Sequence, residues 1–158
     1  MSNRNRRASH TEIIRQLRTF SSGAILFNQR VAERVGLHLT DTQCMNLLDL
    51  MGTSTPGKLA EFMGLTTGGV TVMLDRLEKA GCIRREPNPE DRRSVLVRVN
   101  ARKMEKLNAL YTGVSQRLDD YIDVLPQAEL EIVVCFFKQI NALRIEAATD
   151  LGKRRKRT

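Results

Sequence analysis

The run Thr66-Thr67-Gly68-Gly69-Val70-Thr71-Val72 combines residue types that suit contact with a phosphate polymer. Thr66 is a good N-cap, and a helix that starts there leaves the amides behind Gly68 and Gly69 free to meet an anion. Two glycines in a first turn lower helix stability, by up to roughly 0.8–1.0 kcal/mol each at an interior position, and suit a face that approaches another backbone closely. Thr71 and Val72 follow on the same side, where they can reach base edges or a thymine methyl in a major groove. Arg76 is the best candidate for a phosphate contact, the alternative being an ion pair within the protein. Arg92 and Arg93 sit in Pro87-Asn88-Pro89-Glu90-Asp91-Arg92-Arg93-Ser94, between two candidate strands, Ile83–Glu86 and Val95–Val99. Arginines at a hairpin tip suit a groove or the phosphates that line it.

These residues need elements to carry them. Val70, Leu74 and Leu77 recur at helical spacing and predict a buried stripe, opposite Gly68, Thr71, Val72, Asp75 and Lys79, with Gly81 as the stop. Asp75 and Lys79 are spaced for an i,i+4 ion pair. Before this helix, Thr55-Pro56 starts a shorter one that Gly64 breaks, and two short helices about Gly64-Leu65-Thr66 have helix-turn-helix spacing. Upstream, Thr40 and Gln43 match a capping box for a helix that ends near Gly52. Ile13 through Val35 predict a long amphipathic helix. Downstream, Asn100 can cap a helix running through Leu107, Leu110, Val114, Leu118 and Tyr121, and after Pro126 a last helix carries Leu130, Val133, Phe137, Ile140 and Leu143 and fades near Leu151. The expected fold is mainly α with a small β-hairpin wing: a winged helix-turn-helix plus long helices. The apolar stripes on those helices suit either a monomeric core or self-association.

The 158 residues suffice for one domain without a metal or disulfide staple. The net charge of +8 lies wholly in the ends, because Arg4, Arg6, Arg7 and the run 153–157 hold eight unopposed cations while the other 18 basic residues match 18 acidic ones. Such ends attract polyanions, or simply stay solvated. The division expected is a basic tail (1–8), a helical dimerisation region (9–38 and 100–150), a winged helix-turn-helix (39–99) and a second basic tail (151–158). Cys44, Cys82 and Cys135 form neither a zinc pattern nor a disulfide framework and read as small core hydrophobes. His10 and His38 match no metal motif. No membrane span is present, and the Arg-rich start lacks the apolar stretch of a signal peptide, so the expected location is the cytoplasm, beside the bacterial nucleoid. No nucleotide-binding loop, metalloprotease motif or nucleophile elbow appears, and no enzyme, cofactor or metal is expected.

Leu65-Thr66 with Val70-Thr71, the run Asp75-Arg76-Leu77-Glu78-Lys79-Ala80-Gly81, and Asp91-Arg92-Arg93-Ser94 occur in the order seen in one group of proteins. The chain resembles the MarR family of transcriptional regulators over about residues 10–148. The resemblance implies a homodimer built from the first and last two helices, binding to a palindromic double-stranded DNA operator, and often release by a small aromatic ligand. It also implies that Asp91 stabilises the wing through a salt bridge to Arg93. Two other functions remain open: an architectural protein that binds DNA without sequence choice, and a redox-sensing regulator acting through Cys44 or Cys135.

Overall fold

The computed structural model describes residues 3–155, with side chains described for 5–148, 150 and 151. Among them, seven helices and one hairpin follow in the order α1 (Asn3–Arg34), α2 (Leu39–Met51), α3 (Pro56–Met63), α4 (Thr67–Lys79), β1 (Ile83–Pro87), β2 (Val95–Val99), α5 (Ala101–Asn108), α6 (Thr112–Asp123) and α7 (Gln127–Arg155). The expected fold class is the one observed. Helix α1 already includes residues 3–8, and α7 enters the segment 151–158. The rest of the two basic ends, residues 1–2 and 156–158, lies outside the described residues.

One core unites the centre of the chain. Cys44, Met45 and Leu48 of α2 meet Leu59 of α3, Val70, Met73, Leu74 and Leu77 of α4, Ile83 and Val97 of the hairpin, and Met104 and Leu107 of α5. Each such side chain, fully buried, contributes about 1.5–3 kcal/mol. The stripe read from α4 is therefore its packed face. The strands pair antiparallel with Ile83 opposite Val99 and Pro87 opposite Val95. Ser54 adds an isolated bridge to Val97, its amide donating to Val97 O at 3.2 Å and its carbonyl accepting from Val97 N at 2.8 Å. This link ties the hairpin to the α2–α3 connection.

Two expectations about elements change. The helix that follows Asn100 is broken: α5 ends at Asn108 and α6 begins at Thr112. Three-residue turns cross the gap, with Leu110 N on Leu107 O at 3.1 Å and Tyr111 N on Asn108 O at 2.9 Å. The break carries Tyr111 onto α1, where its hydroxyl donates to Asn28 Oδ1 at 3.0 Å and its ring stands edge-on to Phe27, centroids 5.4 Å apart. Helix α2 also starts earlier than the Thr40–Gln43 box implies. His38 is the N-cap residue, and its amide donates to Asp41 Oδ2 at 3.1 Å. A tertiary partner of Asp41, described below, holds that carboxylate in place.

Candidate nucleic-acid interface

Helix α4 begins as its residues require. Thr66 is extended (φ −73°, ψ 159°) and its Oγ1 accepts from Gly69 N at 3.1 Å. The preceding helix is closed by Gly64 in the left-handed region (φ +64°), which turns the chain sharply between the two helices. The two glycines of α4 differ. A Cβ on Gly69 would lie 3.2 Å from Thr66 Oγ1, so this glycine keeps room for the cap, whereas a Cβ on Gly68 would meet nothing within 4 Å. Thr66, Thr67, Gly68, Gly69, Thr71 and Val72 are all exposed, Val72 to 62%. The sequence-predicted residues of the helix start thus share one open surface around a helix N-terminus, where the helix dipole favours negative charge, although the Gly69 amide, expected to be free, is already engaged by the Thr66 cap.

Arg76 is held differently. Its Nε and Nη2 donate to Oδ2 and Oδ1 of Asp41 at 2.9 and 2.5 Å. Asp41 is fully buried and Arg76 half-buried. The hydrogen bond to Asp41 raises the guanidinium pKa further above its ordinary value. Of the two roles open to Arg76, an ion pair within the protein is the one observed, and a phosphate contact would have to use its remaining donors. Asp41 lies 35 residues upstream in α2, and no local pattern pairs the two.

Asp75 does not pair with Lys79. Arg85 of β1 reaches back, donating from Nη2 to Asp75 Oδ1 at 2.7 Å and from Nη1 to Glu78 Oε2 at 2.6 Å, while its amide donates to Glu78 Oε1 at 3.2 Å. Those bonds raise the pKa of Arg85, the Asp75 contact first. Arg85 thereby fixes the hairpin to α4. Within the hairpin, Glu86 pairs with Arg84 at 2.6 Å and with Arg98 at 3.4 Å.

The wing tip is a chain of small turns. Asn88 Nδ2 donates to Ser94 Oγ at 2.7 Å, Glu90 N donates to Asn88 Oδ1 at 3.1 Å, and Ser94 N donates to Asp91 O at 2.9 Å. Asp91 Oδ1 accepts from the backbone amide of Arg93 at 3.0 Å. The expected salt bridge from Asp91 to the Arg93 guanidinium is not among the ion pairs of the described residues; Asp91 shapes the turn through the main chain, as short acidic side chains commonly do. Arg92 and Arg93 are exposed on this tip.

A cavity of about 330 Å³ lies between the end of α1, α2, the exit of α4 and α5. Leu37, Met45 and Leu107 supply apolar wall, and Lys103 and Lys106 also line it. Cys82 borders the cavity and is buried, as is Cys44, whose thiol burial pushes up to about 12. Cys135 was expected in a core but is exposed on α7. His38 is exposed and is not part of the cavity lining. The described residues contain no cluster of metal-ligating side chains and no helix long and apolar enough to cross a membrane.

The comparisons agree with this geometry. The family described as MarR matches residues 37–95. The HTH-type transcriptional regulator YcgE of Bacillus subtilis, itself uncharacterised, is 35% identical over 137 residues, which cover 86% of this chain and 89% of the relative. Among solved structures, the transcriptional regulator Tm0710 of Thermotoga maritima superposes with a TM-score of 0.62 at 19% identity, covering 84% of this chain and 94% of that one. A cysteine-to-serine variant of MarR from E. coli, complexed with operator DNA, superposes with a TM-score of 0.54 at 21% identity, covering 82% of this chain and 93% of that one. With the identity and coverage shared with YcgE added to the helix-turn-helix and its wing, the chain belongs to the MarR family of winged-helix transcriptional regulators.

Proposed function

We propose that the protein works as a homodimer that binds a palindromic operator with sequence choice, represses transcription from it, and lets go when a small aromatic or phenolic anion binds. The observation that carries the DNA reading is the open start of α4, where Gly68, Thr71 and Val72 are exposed at a helix N-terminus beside a wing bearing exposed Arg92 and Arg93. Thr66, Thr67, Gly68 and Gly69 would meet phosphate, Thr71 and Val72 base edges, and Arg92 and Arg93 phosphate and minor groove. Operator DNA in the complex of the E. coli relative supports the same partner.

Dimerisation is supported by the long helices. Ile13, Phe20 and Leu26 of α1, Leu118 and Tyr121 of α6, and Ile132 and Leu143 of α7 are exposed in the single chain. Apolar stripes of this length need a partner surface. Two readers on a two-fold axis would then meet half-sites about 34–36 Å apart. The cavity supports the ligand: its volume falls within the usual range for small-molecule sites, and its apolar wall with two lysines suits an aromatic anion. Its position between α1, α2, the end of α4 and α5 would let an occupant change how the reader sits on the long helices. The cytoplasm, alongside the nucleoid, is the compartment this function requires.

The test is selection of bound duplexes from a random pool, followed by titration of selected and random duplex at one salt concentration. A specificity ratio of 10³ or more supports the regulator. A ratio near one would assign the protein instead to architectural binding without sequence choice.

A further inference from the structure

The outward face of α4 presents methyl groups where many readers present hydrogen-bonding forks. Its sequence, Thr67 to Lys79, contains no Asn or Gln and one arginine. That arginine, Arg76, is bound in bidentate fashion by Asp41. Asp75 is bound by Arg85 at 2.7 Å. Lys79 lies in the last turn, about 10 Å along the axis from Val72. Thr71 Oγ1 donates to Thr67 O at 2.9 Å, so its hydroxyl hydrogen is directed back along the helix. Val72, 62% exposed, has only an isopropyl group to offer. Gly68, beside them, leaves open space where a side chain would stand off a partner.

The side chains that read guanine or adenine by paired hydrogen bonds are therefore absent from the start of this face, already engaged or, for Lys79, two turns away, while β-branched methyls stand free on it. In the major groove the complementary feature is the 5-methyl of thymine. We propose that this helix chooses its operator chiefly through thymine methyl groups packed against Thr71 and Val72. The inference rests on the DNA-binding reading above and specifies what that surface recognises. Successive helical residues diverge by about 100°, so the two side chains meet different base pairs. Each half-site then carries at least two thymines whose methyls, rather than their hydrogen-bonding edges, are read.

The test uses the full chain and the operator selected from a random pool. Thymines are replaced one at a time by deoxyuridine, which removes the methyl and keeps every hydrogen-bonding group. At the read positions, affinity should fall about four-fold per methyl, and about fifteen-fold when both half-sites are changed, as expected for burial of one methyl each. Thr71→Ser, which keeps the hydroxyl and drops the methyl, should show the same loss and become indifferent to deoxyuridine at its position. Thr71→Val should keep the operator choice, and Val72→Ala should erase sensitivity at the second position. Both sites are exposed, so melting curves should match those of the parent protein. A selected operator that binds equally well with every thymine replaced would overturn the proposal while leaving sequence-specific DNA binding intact. So would Thr71→Ser retaining operator choice while Thr71→Val loses it. If no sequence is enriched from the pool, the sequence-specific reading itself fails, and methyl recognition falls with it.

Discussion

Asp41 and Arg76 are the pair on which the reader's seating depends most. Asp41 is fully buried, accepts two hydrogen bonds from Arg76, and also caps α2 through the His38 amide. Removing the arginine would strand a buried carboxylate, so Arg76→Ala should lower unfolding free energy by about 3–5 kcal/mol. Asp41→Ala should be milder, about 1.5–3 kcal/mol, because the half-buried guanidinium can turn to water. Urea titration of the two variants and of the double variant measures the coupling; additive losses would mean that the pair does not act as a unit. The thiols make a second residue-scale prediction. The Cys44 thiol, raised to about 12 in a fully buried site, should resist alkylation in the native protein, whereas exposed Cys135 should label at once. Mass spectrometry after brief labelling near pH 8 reads this directly. Rapid labelling of native Cys44 would reopen a redox role for it.

At the scale of elements, the wing is joined to α4 by Arg85 and shaped at its tip by Asp91. The two contacts should respond differently to substitution. Asp91→Asn keeps an oxygen that accepts from the Arg93 amide, so it should bind DNA nearly as well as the parent. Asp91→Ala should weaken binding several-fold by loosening the tip. If Asn behaves as badly as Ala, the negative charge of Asp91 matters after all, and a salt bridge to Arg93 forms on DNA. Arg85→Ala loses partly exposed ion pairs, about 0–1 kcal/mol in stability, and should chiefly speed amide exchange in β1 and β2. Unchanged exchange there would mean that the Ser54 bridge and the core contacts of Ile83 and Val97 suffice to hold the hairpin.

For the whole molecule, the long helices set the outcome. Phe20 and Leu143 are 63% and 60% exposed on helices α1 and α7, which a hydrogen bond from Arg144 Nη2 to Ser21 Oγ at 2.7 Å brings together. Phe20→Glu with Leu143→Glu should place charge in a dimer interface and yield monomers. The reader core, which includes neither residue, should stay folded. Sedimentation equilibrium at micromolar concentration would show the change, and operator affinity should drop with it because two half-sites are no longer held together. A parent protein that sediments as a monomer yet binds its operator fully would end the dimer proposal. The basic run 153–157 bears on the same complex through charge. Each phosphate it neutralises should steepen the slope of log K against log salt by about 0.9. Deleting it should flatten that slope and lower operator and random-duplex affinity alike. An unchanged slope would mean that the segment serves solubility instead.

Local chemistry carried most of the reader into view from sequence alone. Thr55, Thr66 and Asn100 cap their helices, Gly64 and Gly81 end theirs with positive φ, and Val70, Leu74 and Leu77 mark the packed face, because caps, stops and periodicity act within a few residues. The second strand was legible from its β-branched residues, and the family from short motifs in a fixed order. Tertiary structure decided what crosses between elements. It paired Arg76 with Asp41 across 35 positions, gave Asp75 to Arg85 rather than to its helical neighbour Lys79, and made Asp91 a main-chain cap. It also broke the helix after Asn108 so that Tyr111 could reach Asn28, 83 residues away. An arginine or a carboxylate has several partners within reach of its own helix. Which partner it takes depends on burial and on the approach of a second element, and neither is encoded in the spacing of residues along one segment.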